Sequence, residues 1–162
     1  MIYRAQPHAI LVLASHGHVA ARDRQSGKVL WRASLGTSSQ SIDTPFTMVT
    51  RISLTDNKVY AYGAVESSQG VFAAMTLSHI VIAIDAVSGE VVWRQVLYER
   101  RELVGTMLVD RDLLVVSSHS ITLALSTATG ELRWKAEHRV RGLGMALAVE
   151  GHSVQTDAVG HE

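Results

Sequence analysis

At 162 residues, with 47% hydrophobic and 19% charged side chains, the chain is long enough for one ordinary domain with a buried core and too apolar for wholesale disorder. Lys+Arg and Asp+Glu are equal at 15 each, so no global charge recruits nucleic acid or an anionic membrane, and a charge-driven partner must meet a local patch. With no cysteine, disulfides, thiolate zinc sites and cysteine nucleophiles are all excluded.

The N-terminus leads through Pro7-His8 into a short apolar run, Ala9 to Ala14, which lacks the length of a signal-peptide core followed by a cleavage site. The expectation is therefore a chain without the usual export signal, resident in the cytoplasm. Residues 9–15 are apolar and read as a strand. They turn at His16-Gly17-His18 into a second strand, 19–23, and a third over 28–35. After the polar run Thr37 to Asp43, residues 46–54 read as a strand, Thr55-Asp56-Asn57 as a turn and 58–65 as its partner. Strands 79–86 and 90–97 follow, beyond an insertion, Ser67 to Ser78, that holds Val71, Phe72, Met75 and Leu77. The same order then repeats as 103–109, the turn Asp110-Arg111-Asp112, 113–117, 121–126 and 131–137. A closing strand is expected over 142–149, with 152–162 as a short strand or a tail. Nowhere does an apolar period of 3.6 residues persist, so the chain reads as all-β.

One eleven-residue frame organises these strands. It runs Ala21 to Trp31 with Asp23, Ser26 and Gly27, recurs from Ala83 to Trp93 with Asp85, Ser88 and Gly89, and recurs again from Ala124 to Trp134 with Ser126, Thr129 and Gly130. Each copy is a strand, a tight turn and a strand ending on tryptophan, and all 3 tryptophans of the chain occupy that slot. Trp93 and Trp134 are separated by about 40 residues, the period of one propeller blade, and Trp31 and Trp93 by about 60, the surplus falling in Thr37 to Asp43 and the insertion.

The frame resembles the tryptophan-docking motif, Ala-x-Asp-x-x-Thr-Gly-x-x-x-Trp, of the pyrroloquinoline-quinone-like (PQQ-like) β-propeller repeats, in which each Trp packs between neighbouring blades. Ser26 and Ser88 keep the hydroxyl of the family's Thr. Ser126 replaces the family's Asp, which should weaken that turn's hydrogen bonding. The resemblance implies four-stranded antiparallel blades, lettered A to D from the axis outward, three per chain. The strand order becomes B-C-D, A-B-C-D, A-B-C-D, A. It implies structural roles for Trp31, Trp93, Trp134, Gly27, Gly89, Gly130, Asp23 and Asp85.

Three blades cannot close a ring, since propellers have 4 to 8. The expectation is a homodimer of six blades in which each chain gives its surplus strand, 142–149, to the incomplete first blade of the other. In such blades the B-to-C and D-to-A connections share one end, a candidate binding face holding His16, His18, Phe72, Met75, Arg100, Arg101, His119, Arg139 and Arg141. His16 and His18 have no carboxylate at ligand spacing beside them, so neither a metal nor another cofactor is expected. The vicinal cysteine pair, axial tryptophan and calcium-binding carboxylates of quinoprotein dehydrogenases are not recognisable here. The expected function is thus a non-catalytic scaffold for protein contacts, with membrane and nucleic-acid partners disfavoured. The alternative is a small-ligand or metal-binding propeller, or the remnant of a quinoprotein-like oxidoreductase.

Overall fold

The computed structural model describes residues 10–36, 50–55, 57–66, 77–100, 105–118, 121–138, 145–149 and 152–156. The elements are β1 (Ile10–Ser15), β2 (His18–Asp23), β3 (Val29–Ser34), β4 (Arg51–Leu54), β5 (Lys58–Glu66), β6 (Leu77–Asp85), β7 (Val91–Arg100), β8 (Gly105–Asp110), β9 (Leu113–Ser118), β10 (Ile121–Ser126), β11 (Leu132–Glu137), β12 (Met145–Val149) and β13 (His152–Thr156). Among the described residues there is no helix. The strands form antiparallel sheets in the orders β1-β2-β3, β4-β5-β6-β7, β8-β9-β10-β11 and β12-β13. This is the expected succession, with two refinements. Strand β6 begins at Leu77, inside what reads as insertion, and the residues after 151 form a strand that pairs with β12, Val149 opposite His152.

The chain divides into two compact units, Met1–Arg101 and Glu102–Glu162. In the first, the three-stranded and the four-stranded sheet share a core. Val19, Ala21, Trp31 and Leu35 of one meet Val59, Ala61, Ile80, Ile82, Ile84 and Ala86 of the other. Strand β6 is the centre of this unit, and Leu77 and residues 79–84 are all buried, which accounts for the run Ile80 to Ala83 having no polar alternation. In the second unit Leu114, Val116, Ile121, Leu123 and Leu125 are buried in the β8–β11 sheet, and the β12–β13 hairpin lies against β8.

The turns explain where strands stop. His16 and Gly17 both adopt positive φ, 49° and 75°, the two-residue reversal whose twist suits a hairpin. The Gly17 carbonyl accepts from Leu35 N at 2.8 Å, and its N–H donates to Thr50 Oγ1 at 2.8 Å, so this turn is fastened to both chain segments beside it.

Candidate docking and interaction sites

The three copies of the frame fold alike down to single backbone bonds. Asp23 N donates to Lys28 O at 2.8 Å and Gly27 N to Asp23 O at 2.9 Å. Asp85 with Glu90 and Gly89 repeats both at 2.9 Å, and Ser126 with Glu131 and Gly130 repeats both at 2.8 Å. Gly27, Gly89 and Gly130 have φ of 70°, 77° and 76°, a left-handed conformation that a Cβ disfavours, which is why the slot holds glycine.

Inside the turns the acids act as internal acceptors. Asp23 Oδ1 accepts from Gln25 N at 3.1 Å, Ser26 N at 2.6 Å and Ser26 Oγ at 2.7 Å. Asp85 Oδ1 accepts from Val87 N at 3.0 Å and Ser88 N at 2.8 Å. Bonds from Ser26 and from the Ser88 amide, respectively, are the main reason both carboxyls sit below the ordinary carboxylate value. Ser126 keeps the backbone bonds while, among the described residues, no side-chain bond of its own replaces those of the acids. The weaker third turn is thus confined to the side chain.

One residue before each turn a bulge shifts the ladder, between Ala21 and Arg22, Ala83 and Ile84, and Ala124 and Leu125. Upstream of it every tryptophan lies directly opposite the frame's alanine: Ala21 with Trp31, Ala83 with Trp93, Ala124 with Trp134. All three alanines are fully buried, so the small side chain leaves room for the indole across the strand.

The fates of the tryptophans then diverge. Trp31 is buried, and its Nε1 donates to Ala86 O at 3.0 Å, on the turn of the following repeat. A Cβ on Gly89 would fall 2.5 Å from Trp31 Cγ, so the indole occupies the space that glycine leaves. Arg94 fastens the same junction from the other side by donating to Gly36 O at 3.1 Å. Trp93 is half-buried, with its ring centroid 6.0 Å from that of Tyr60. Trp134 departs from the expectation of a packed anchor. It is 44% exposed on β11, all six residues of which are exposed. The motif supplies the indole, but the surface that covers Trp31 comes from the next repeat's turn, and among the described residues no fourth such turn follows Trp134.

Of the expected binding face, His16 and His18 are exposed at the β1–β2 turn, where His16 Nδ1 bonds Ser15 Oγ at 2.6 Å. Arg100 ends β7, paired with Leu77. Phe72, Met75, Arg101, His119, Arg139 and Arg141 lie outside the described residues. His138, in the same basic connection, donates from Nε2 to Ser118 O at 3.1 Å. Among the described residues no three His, Cys, Asp or Glu side chains cluster as metal ligands.

A polar cluster not expected from sequence sits at the loop end of the β5–β6–β7 ribbon. Tyr62 Oη and His79 Nδ1 are 2.8 Å apart, both residues buried, and the His79 ring stacks on Tyr98 with centroids 4.3 Å apart. Strand pairing brings them together, His79 opposite Tyr98 and Ala64, near the start of β6. The insertion hides the β5–β6 register in the sequence, so the signal available is only the presence of three ring-bearing residues in adjacent strands.

The family described as outer membrane protein assembly factor BamB matches residues 10–158. A curated relative, the outer membrane protein assembly factor BamB of Legionella pneumophila (strain Paris), is 23% identical over 155 residues, which are 94% of this chain and 36% of the relative. The crystal structure of BamB from Moraxella catarrhalis aligns over 98% of this chain and 55% of that one, at 13% identity and a TM-score of 0.42. The chain therefore spans little more than a third of the curated relative and about half of the solved one.

Proposed function

Since the chain belongs to the family described as outer membrane protein assembly factor BamB, we propose that it is a non-catalytic β-propeller scaffold that serves outer membrane protein assembly through protein contacts. The observation that carries this reading is the match over residues 10–158 to a family named for assembly. The architecture agrees with it. The repeated side chains, Trp31, Asp23 and Asp85, bond or pack within the hairpins and between sheets. What varies from repeat to repeat is the connections at the B-to-C and D-to-A end, which is where a rigid repeat frame presents binding residues.

In this reading the three- and four-stranded sheets are blades, and two copies complete one ring. The partner strand for the first blade is β12, whose edge away from β13 would add to β1, an edge strand of its own sheet. The 67–76 insertion, with Val71, Phe72 and Met75, is the proposed contact for a client or co-assembly protein.

Cytoplasmic residence, expected from the N-terminal residues, and a role in outer membrane assembly predict opposite fractions. Fractionation of the native host decides between them: recovery with the envelope supports the assembly role, and recovery in the cytosol alone overturns it. Loss of the chain is expected to lower the outer membrane protein content of the envelope, restored by the wild type and not by a variant lacking residues 67–76. Unchanged envelope content would leave the scaffold without this role.

A further inference from the structure

We infer that Arg51 and the Tyr62–His79–Tyr98 cluster together form a binding site for a carboxylate. Strand pairing puts the four residues on one face of the β4–β7 sheet. Arg51 lies directly opposite Tyr62. Two residues further along β5, Ala64 lies opposite His79, which in turn lies opposite Tyr98. Tyr62 Oη is 2.8 Å from His79 Nδ1 and 3.5 Å from Tyr98 Oη, so two hydroxyls and an imidazole are already gathered. Tyr62 and His79 are buried while Arg51 and Tyr98 are only half-buried, which leaves the Arg51 and Tyr98 side as the way in.

Arg51 is the member left without a partner. Its Nε is buried and, among the described residues, has no hydrogen-bond partner. Arg22 and Arg94, half-buried as well, each donate to a backbone carbonyl, of Gly27 and of Gly36. A desolvated cationic N–H without an acceptor costs stability, and the repeat does not demand one there. The corresponding slot of the β8–β11 sheet, opposite Ser117 in the row that leads to Thr122, holds Thr106. The Nε–H and one Nη–H of an arginine form a planar fork whose complement is the two oxygens of one carboxylate. A single guanidinium beside two neutral phenols suits a monovalent carboxylate better than a phosphate dianion. In the occupied site His79 Nδ1–H donates to Tyr62 Oη, which turns the phenol O–H toward the carboxylate held on Arg51.

The inference goes beyond the assembly role and is read on the isolated chain, so either can fail without the other. In nitrogen-edited NMR of the 162-residue chain, sodium propionate, the free form of a glutamate side chain, is expected to shift the Arg51 Nε–H and His79 ring resonances to saturation. Methyl propionate, or sodium chloride at equal ionic strength, should leave both in place. Arg51→Gln should abolish the movement at His79 and, with no ligand present, melt no lower than wild type, because it removes a cationic N–H that the fold leaves unbonded. Tyr62→Phe should bind propionate about tenfold more weakly, the loss expected for one hydrogen bond to a charged group. The capped tripeptide alanyl-glutamyl-alanine separates the two sources of a carboxylate: tighter binding than propionate assigns the site to an acidic residue of a partner protein, weaker binding to a small free acid. No saturable shift with either probe, an equal response to methyl propionate, or an Arg51→Gln chain that melts well below wild type would each overturn the inference.

Discussion

At the scale of single residues, the three tryptophans share a motif and not an energy. Trp31→Ala removes a buried indole together with its bond to Ala86, and is expected to cost about 3–5 kcal/mol in urea unfolding. Trp134→Ala, measured on dilute single chains, should stay within about 0.5 kcal/mol of wild type, since its side chain already faces solvent. Equal losses at the two positions would contradict the docking geometry. The acids make a second test. Their folded pKa values lie below those of the unfolded chain, so their stabilisation is fully present above the unfolded value and is lost as pH falls through the folded one. Urea midpoints of the wild type should fall as the pH drops below about 4, and the fall should be shallower in the Asp23→Asn, Asp85→Asn double variant.

At the scale of the hairpin, two glycines with the same φ are expected to respond differently to the same change. Gly27→Ala meets only the left-handed backbone cost, about 1–2 kcal/mol. Gly89→Ala meets that cost and also drives a methyl into the Trp31 ring, so its loss in chemical denaturation should be the larger. Element by element, much was legible in the sequence. Turn residues at His16-Gly17, Asn57, Asp110 to Asp112 and the three frame glycines bound the strands, and the short apolar runs between them, with no 3.6-residue period, set their type. The bulges before each turn were not legible, because a bulge is a statement about the partner strand's register. Nor was the Tyr62–His79–Tyr98 cluster, whose members meet only after β5, β6 and β7 pair across an insertion. Trp134 shows the limit of a motif: it specifies the slot for an indole and says nothing about whether a neighbour arrives to cover it.

At the scale of the molecule, the expected closing strand has its own partner in β13, so the proposed two-copy closure would have to use the other edge of β12. Two-copy closure through β12 predicts twice the single-chain mass by light scattering for the full chain and loss of that mass for a chain ending at Arg141, which lacks the hairpin. Retention of that mass would mean that β12 has no part in pairing. The seating of Trp31 on the next repeat's turn also gives the array a direction, from a tryptophan to the turn of the repeat after it. A gene that gains or loses whole repeats leaves that joint chemically unchanged, so copy number can drift during evolution without inventing a new one. A gene that gains a fraction of a repeat has no such freedom. It presents an end that matches nothing, and selection should see the difference at once.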